Sequence, residues 1–240
     1  MNILEVEKLS KYFGGLSAAA SVDLHVTEGE IVGLIGPNGA GKTTVFNLIS
    51  GALVPDSGFI RFKGTSIEGC KPHEIARMGI GRTFQSVKVF SKMSALNNVL
   101  LGYLFGRAEQ PAMNHSARSE SEEVLAFVGL EKVKETRAQD LTLANQKRLE
   151  VARALATHPA LLLLDEVMAG LTPTEVASSM ELVMKIRENG VTVFMIEHVM
   201  KAIMTICDRI VVVHHGEKIA EGTPQEIVQN RTVVEVYLGE

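Results

Sequence analysis

The order of apolar and polar positions divides the chain into three regions. Residues 3–35 read as strands: Ser21-Val22-Asp23-Leu24-His25-Val26 alternates, Thr27 to Glu30 turns, and Ile31-Val32-Gly33-Leu34-Ile35 is an unbroken apolar run. Alternation marks a half-buried strand, and the run marks one buried on both faces. Pro55-Asp56-Ser57-Gly58 is a turn signal before a short strand, Phe59 to Phe62. From about Phe90 to His158 the spacing becomes helical. Ser119-Glu120-Ser121-Glu122 has the form of a capping box, and Val124, Leu125, Phe127 and Val128 share the apolar face after it. A further helix is expected from Gln146 to His158, stopped by Pro159.

Beyond Pro159, strands and helices alternate. Leu161 to Leu164 is a buried strand, and Thr172-Pro173-Thr174-Glu175 opens a helix that ends at Asn189-Gly190. Val191 to Ile196 and Ile210 to Val213 are strands, and Thr223-Pro224-Gln225-Glu226 caps a last helix. Alternation of this kind implies an α/β fold whose mostly parallel sheet is covered on both faces. The simplest organisation is a single unit over residues 1–240. Its core lobe spans 1–85 and 159–240, and a helical lobe is inserted over 86–158. No internal repeat or low-complexity linker interrupts it.

Between the first buried strand and the helix Thr44 to Ile49, closed by Gly51, lies Gly36-Pro37-Asn38-Gly39-Ala40-Gly41-Lys42-Thr43-Thr44. It satisfies G-x-x-x-x-G-K-[ST] in full. Its glycines let backbone amides close around phosphate oxygens, and the helix N-terminus adds the positive end of a dipole. Lys42 offers a point charge to the β- and γ-phosphates, and the Thr43 hydroxyl offers a ligand to Mg²⁺. The segment predicts binding of a nucleoside triphosphate.

Composition narrows the setting. The chain has 240 residues, 46% of them hydrophobic and 22% charged, as in an ordinary globular protein. A net charge of −4, without a run of Lys and Arg, argues against a nucleic-acid partner. Cys70 and Cys207 lack metal-site spacing and read as two reduced thiols. The start, Met1-Asn2-Ile3-Leu4-Glu5, has no secretory pattern, and no apolar run reaches the roughly 18 residues of a spanning helix, so membrane association is expected only through a partner.

Leu161 to Leu164 is followed by Asp165 and Glu166, two acids at the strand edge where ligands of open α/β sheets sit. Asp165 fits a role on Mg²⁺, directly or at one remove, and Glu166 fits the residue that orients or deprotonates an attacking water. Val191 to Ile196 ends similarly in Glu197-His198; His214 and His215 read as a turn rather than a metal site.

Taken in order, these motifs resemble those of the nucleotide-binding subunit of an ATP-binding cassette transporter, over essentially the whole chain. The resemblance implies a P-loop NTPase with a RecA-like core, an N-terminal antiparallel β region and the inserted helical lobe. Lys11-Tyr12-Phe13-Gly14-Gly15 is similar to the loop whose aromatic stacks on adenine, with Phe13 as that aromatic. Gly81-Arg82-Thr83-Phe84-Gln85 resembles the Q-loop, in which Gln85 contacts Mg²⁺ and the water. Leu161 to Glu166 resembles the Walker B strand with catalytic Glu166, and His198 the switch histidine on the γ-phosphate. Arg82-Thr83-Phe84-Gln85 and the ending Val236-Tyr237-Leu238-Gly239-Glu240 are similar to branched-chain amino acid importers, whose relatives carry urea, short amides or aromatic acids. Lipopolysaccharide-export relatives share the ending but usually lack the Arg-Thr-Phe-Gln form.

Three departures from the family pattern stand out. Its signature Leu-Ser-Gly-Gly-Gln is here Leu141-Thr142-Leu143-Ala144-Asn145, Val167 replaces the proline after the catalytic glutamate, and Thr172 replaces the aspartate of the D-loop. Leu143 and Ala144 put side chains where glycine would let the backbone approach phosphate. In the family, two subunits pair head to tail, each ATP lying between one Walker A loop and the other chain's signature. The resemblance thus implies a heterodimer in which this chain's own phosphate loop is complete and its trans half-site, Thr142 to Asn145, is weakened. Two permease subunits and, indirectly, an external substrate-binding protein are the other implied partners, with the chain at the cytoplasmic face of the membrane. Val87, Val89, Phe90, Met93, Leu96 and Val99 are either a groove for a permease helix or core of the helical lobe. A soluble cassette ATPase or a P-loop kinase fits less well, because the first usually carries inserts or basic surfaces and the second needs no base aimed at water.

Overall fold

Alternating burial sets the first layer of the fold. In the computed structural model, which describes residues 1–106 and 115–238, β1 (Asn2–Phe13) and β2 (Leu16–Thr27) form an antiparallel hairpin. They turn through Gly14, whose backbone is left-handed (φ +58°). β3 (Ile31–Ile35), buried at all five positions, leads through the glycine loop into α1 (Lys42–Ile49). β4 (Ser57–Phe62) and β5 (Thr65–Ser66) complete a four-stranded sheet of order β2-β1-β4-β5.

α2 (Pro72–Met78) and β6 (Ile80–Arg82) come next, followed by α3 (Ala95–Phe105), α4 (His115–Phe127) and α5 (Leu143–Leu155). β7 (Leu161–Asp165), α6 (Pro173–Glu188), β8 (Thr192–Ile196), α7 (Met200–Ile206) and β9 (Arg209–His214) then alternate. β10 (Glu217–Gly222), α8 (Pro224–Gln229) and α9 (Arg231–Leu238) finish the described chain.

The second sheet runs β10-β9-β3-β8-β7-β6, parallel from β9 to β6, with β10 antiparallel at one edge. Successive side chains on its central strands point to opposite faces. Val32, Leu34, Leu161, Leu163, Phe194, Ile196, Val211 and Val213 meet the antiparallel sheet and α1. Ile31, Ile35, Leu162, Leu164, Val193, Met195, Ile210 and Val212 meet the helices of the other face. Because β3, β7 and β8 are parallel neighbours, their C-terminal ends open on one edge, and the ligand-bearing loops leave from there.

The antiparallel β region and mostly parallel core match the fold implied by the motifs. Local boundaries moved. α4 is already helical from His115 onward, so Ser119 lies inside the helix rather than capping it, and the Ser121 hydroxyl donates back to the Ala117 carbonyl (2.7 Å). α5 begins at Leu143, three residues before the expected Gln146, because Thr142 caps it, accepting from the Asn145 amide. It ends at Leu155, and the chain then turns through His158 at φ +54°. A helix, α9, follows the one expected to be last.

Phe46 of α1 and Phe194 of β8 are fully buried, with ring centroids 5.0 Å apart. Phe194→Ala should cost about 3–5 kcal/mol of stability, read as a lowered urea midpoint at unchanged slope.

Candidate functional site

The phosphate loop is shaped by close backbone approach. Gly41 has φ +101°, and a Cβ there would stand 2.1 Å from the Ala18 carbonyl oxygen of β2, so only glycine fits. Gly216, on the turn after β9, ties the same region: its amide donates to Ala40 (3.0 Å) and its carbonyl accepts from Ala20 (2.8 Å). Asn38 and Gly39 are exposed at the crest, Pro37, Thr43 and Thr44 are half-buried, and Gly36 and Ala40 are buried. The Lys42 ammonium donates to the carbonyls of Gly36 (2.7 Å) and Pro37 (2.9 Å). Burial pulls Lys42 below the usual lysine value, while the Glu166 and Asp165 carboxylates push it back up.

Asp165 ends β7 and is 1% exposed. Its amide donates to the Thr83 hydroxyl (3.0 Å), and its Oδ2 accepts from the Arg82 guanidinium (3.2 Å). Burial raises Asp165 above the ordinary aspartate value, opposed by Arg82. Its Oδ1 is buried without a hydrogen-bond partner, a lone oxygen suited to a cation or a bound water.

Glu166 follows in a left-handed backbone conformation (φ +53°), strained for a residue with a side chain. Its carboxylate accepts from the Gln85 amide (Oε2, 3.1 Å) and meets His198 Nε2 (Oε1, 2.8 Å). Backbone contacts hold the turn: its amide donates to Ile196 (2.9 Å), and its carbonyl accepts from the Ala169 amide (3.2 Å) and from the buried Lys147 ammonium of α5 (2.7 Å). Burial lowers Lys147, with Glu197 the strongest opposing charge. Glu197 accepts from the Met168 amide (2.7 Å), its other carboxylate oxygen is buried unpaired, and burial pushes it up to about 7.

The fold therefore joins Gln85, Asp165, Glu166 and His198 at the edge that also carries Lys42. No hydrogen bond or ion pair joins Phe13 or the Thr142–Asn145 segment to the phosphate loop among the described residues. Phe13, 48% exposed, stands at the end of β1 with the Lys11 ammonium 5.8 Å from its ring centroid. Leu143 is exposed and lies against Gly170, while Ala144 and Asn145 are half-buried. Thr172, unusual by the family pattern, caps α6 in a reciprocal pair with Glu175. Val167 is buried in the core.

A cavity of 690 Å³ lies between α2, α3 and α5, lined by Ile75, Phe84, Phe90, Leu101, Phe105 and Arg153 among others. Of the six apolar residues expected in a groove or in core, Phe90 lines the cavity, whereas Leu96 and Val99 are core. Buried Asn98 holds the Phe90 backbone, pairing its amide group with it in both directions (2.8 and 3.1 Å). Arg82, Asn98, Lys147 and Glu197 escaped assignment from sequence. A polar residue inside an apolar helical face (Asn98) or at a strand end (Glu197) was the available signal.

Residues 19–169 match the ABC transporter family model, and residues 217–240 match that of the branched-chain amino acid ATP-binding cassette transporter. The high-affinity branched-chain amino acid transport ATP-binding protein BraF of Pseudomonas aeruginosa is 44% identical over 99% of this chain and 98% of its own. A nucleotide-free ATP-binding cassette from an ABC transporter superposes with a TM-score of 0.92 at 31% identity, covering all of both chains. The dimeric post-hydrolysis state of a cassette bound to ADP and Pi superposes at 0.83 with 27% identity over 92% of this chain and 98% of that one.

Glu197 binds its proton more tightly folded than unfolded, so its contribution to stability is complete below pH 4.5 and is lost as pH rises through about 7. Glu197→Gln retains an acceptor for Met168 and should remove up to about 3 kcal/mol of that decline. Urea unfolding at several pH values between about 5 and 8 measures it; an unchanged slope in the variant would assign the decline to other groups.

Proposed function

The chain belongs to the ATP-binding cassette (ABC) transporter family and is an ATPase; within that family we propose that it powers an importer of branched-chain amino acids. The likeness to BraF over nearly the full length of both chains carries this reading, together with the C-terminal match. The tyrosine of the ending, Tyr237, lies within the described residues, and Gly239 and Glu240 lie outside them.

In this reading the loop amides from Gly36 to Thr44 and the Lys42 ammonium hold the triphosphate, and Phe13 stacks on adenine. The residues present suit Mg²⁺: the buried Oδ1 of Asp165 has no partner, and an ion carried largely by phosphates and water needs few protein oxygens. The Thr43 hydroxyl, Gln85 and the unpaired Asp165 Oδ1 would hold it. Bound Mg²⁺ would supply neutralisation of charge on the β- and γ-phosphates. Glu166, gripped by Gln85 and His198, orients the attacking water and accepts its proton. His198, 41% exposed at its side chain, would exchange its contact with Glu166 for one with the γ-phosphate.

We assign residues 86–158 to the helical lobe and the rest to the core lobe, with Gln85 as the joint; residues 107–114 of that lobe lie outside the described structure. No helix among the described residues is long and apolar enough to cross a membrane. Attachment at the cytoplasmic face is assigned to the cavity between α2, α3 and α5, whose apolar walls suit a permease helix.

A heterodimer is favoured over a homodimer. The exposed Leu143 presents an apolar side chain at the N-terminus of α5, where the family signature offers glycine amides to the partner's ATP. Glu166→Gln should retain ATP binding and reduce turnover at least a hundredfold, whereas Lys42→Ala should lose both. Steady-state ATPase rates of this chain alone and mixed with its candidate partner ATPase test the pairing. Activity only in the mixture, abolished by Glu166→Gln, is expected; a rate rising as the square of concentration in the chain alone would refute it.

A further inference from the structure

Arg82 lies in the Arg-Thr-Phe-Gln segment, of which the proposed mechanism uses only Gln85. Its guanidinium is almost buried, 8% exposed, and bridges three elements. One nitrogen donates to the Asn47 side chain (2.8 Å) and the Ser50 hydroxyl (2.6 Å) at the end of α1; the other donates to Asp165 Oδ2 (3.2 Å). It also lies against Phe46 and Phe84, 5.9 and 5.2 Å from their ring centroids. The neighbouring Thr83 holds the Asp165 backbone through its hydroxyl. Asp165 is thus fixed at both backbone and side chain, and the oxygen Arg82 leaves open, Oδ1, is the buried one with no partner.

We propose that Arg82 is a positioning residue for the metal: by occupying Oδ2 while tied to the end of α1, it aims Oδ1 of Asp165 at the Mg²⁺ that accompanies the nucleotide. A carboxylate with one oxygen engaged by a fixed guanidinium cannot turn, and partners that orient a metal-binding carboxylate typically change metal affinity by about 10–100-fold. Lysine cannot substitute fully, because one ammonium does not reproduce the planar fork that spans Asn47, Ser50 and Asp165 together. Arg82, Ser50 and Phe84 also line the 690 Å³ cavity, so the proposed docking groove and metal site share one residue.

The inference rests on the assignment of Asp165 to Mg²⁺ above, and its test separates the two. A fluorescent ADP analogue is titrated into the full chain in EDTA and in excess Mg²⁺; the ratio of the two dissociation constants is read for wild type, Arg82→Met, Arg82→Lys and Asp165→Asn. Wild type should bind more tightly with Mg²⁺. Arg82→Met should bind as wild type in EDTA and lose about tenfold or more of the Mg²⁺-dependent tightening, with Arg82→Lys intermediate. Full tightening in Arg82→Met, or an equal loss with and without Mg²⁺, overturns the role of Arg82 and leaves it a structural tie. If the methionine variant does not fold, Arg82→Lys decides: full tightening there overturns the proposal. Tightening that survives in Asp165→Asn, or is absent in wild type, refutes the Asp165 assignment and with it the proposal. Loss in Asp165→Asn but not in Arg82→Met refutes only the proposal.

Discussion

Two carboxylates buried side by side at the end of one strand set the requirement that the surrounding structure meets. Asp165 and Glu166 are 1% and 9% exposed, and acids there are costly unless paired or hydrogen-bonded. The carboxylates' partners come from separate parts of the chain, Arg82 from β6, Gln85 just beyond it and His198 after β8, while Thr83 and Lys147 of α5 hold the two backbones. The parallel sheet is what makes this convergence possible, since β6, β7 and β8 are consecutive neighbours with aligned C-terminal ends. The satisfaction is incomplete by one oxygen of Asp165, and an unpaired buried acceptor beside a phosphate loop suits a site that is completed by its ligand.

α5 joins features that look unrelated in sequence. Its N-terminus is the altered segment Thr142 to Asn145, Lys147 grips the Glu166 carbonyl, and Glu150 and Arg153 line the cavity. Burial raises Glu150 above the ordinary glutamate value, and its carboxylate accepts from the Lys88 amide. One rigid helix therefore touches the surface assigned to a partner ATPase, the backbone of the proposed general base, and the groove assigned to a permease. A displacement of that helix would be felt at all three, because close-packed interiors transmit rather than absorb shifts.

The altered signature and the substitution at Thr172 look alike as departures from a pattern, yet the structure separates them. Thr172 performs a local task, capping α6 with Glu175, that an aspartate would also perform. Leu143 has no comparable local duty that requires leucine: it is 46% exposed and rests on Gly170. The change at Leu143 puts an exposed apolar side chain at a helix N-terminus, whereas the change at Thr172 preserves a helix start.

The sequence alone determined the phosphate loop, the buried strands and the start of α6. Each depends on a local rule: glycine where backbone crowds backbone, an apolar run where both faces are covered, a proline-threonine cap where a helix opens. It located Gln85 and His198 only through the order of motifs, since nothing local marks a glutamine at position 85 or a histidine at 198. Only the tertiary structure decided that Arg82 holds Asp165, that Lys147 holds Glu166, and that Leu96 and Val99 are core while Phe90 faces the cavity. Those contacts join residues 83 and 19 positions apart, or depend on which side of a short segment faces inward. Periodicity reports a buried face but not what it is buried against, and a charged residue's partner is chosen by strand order, which no local pattern encodes.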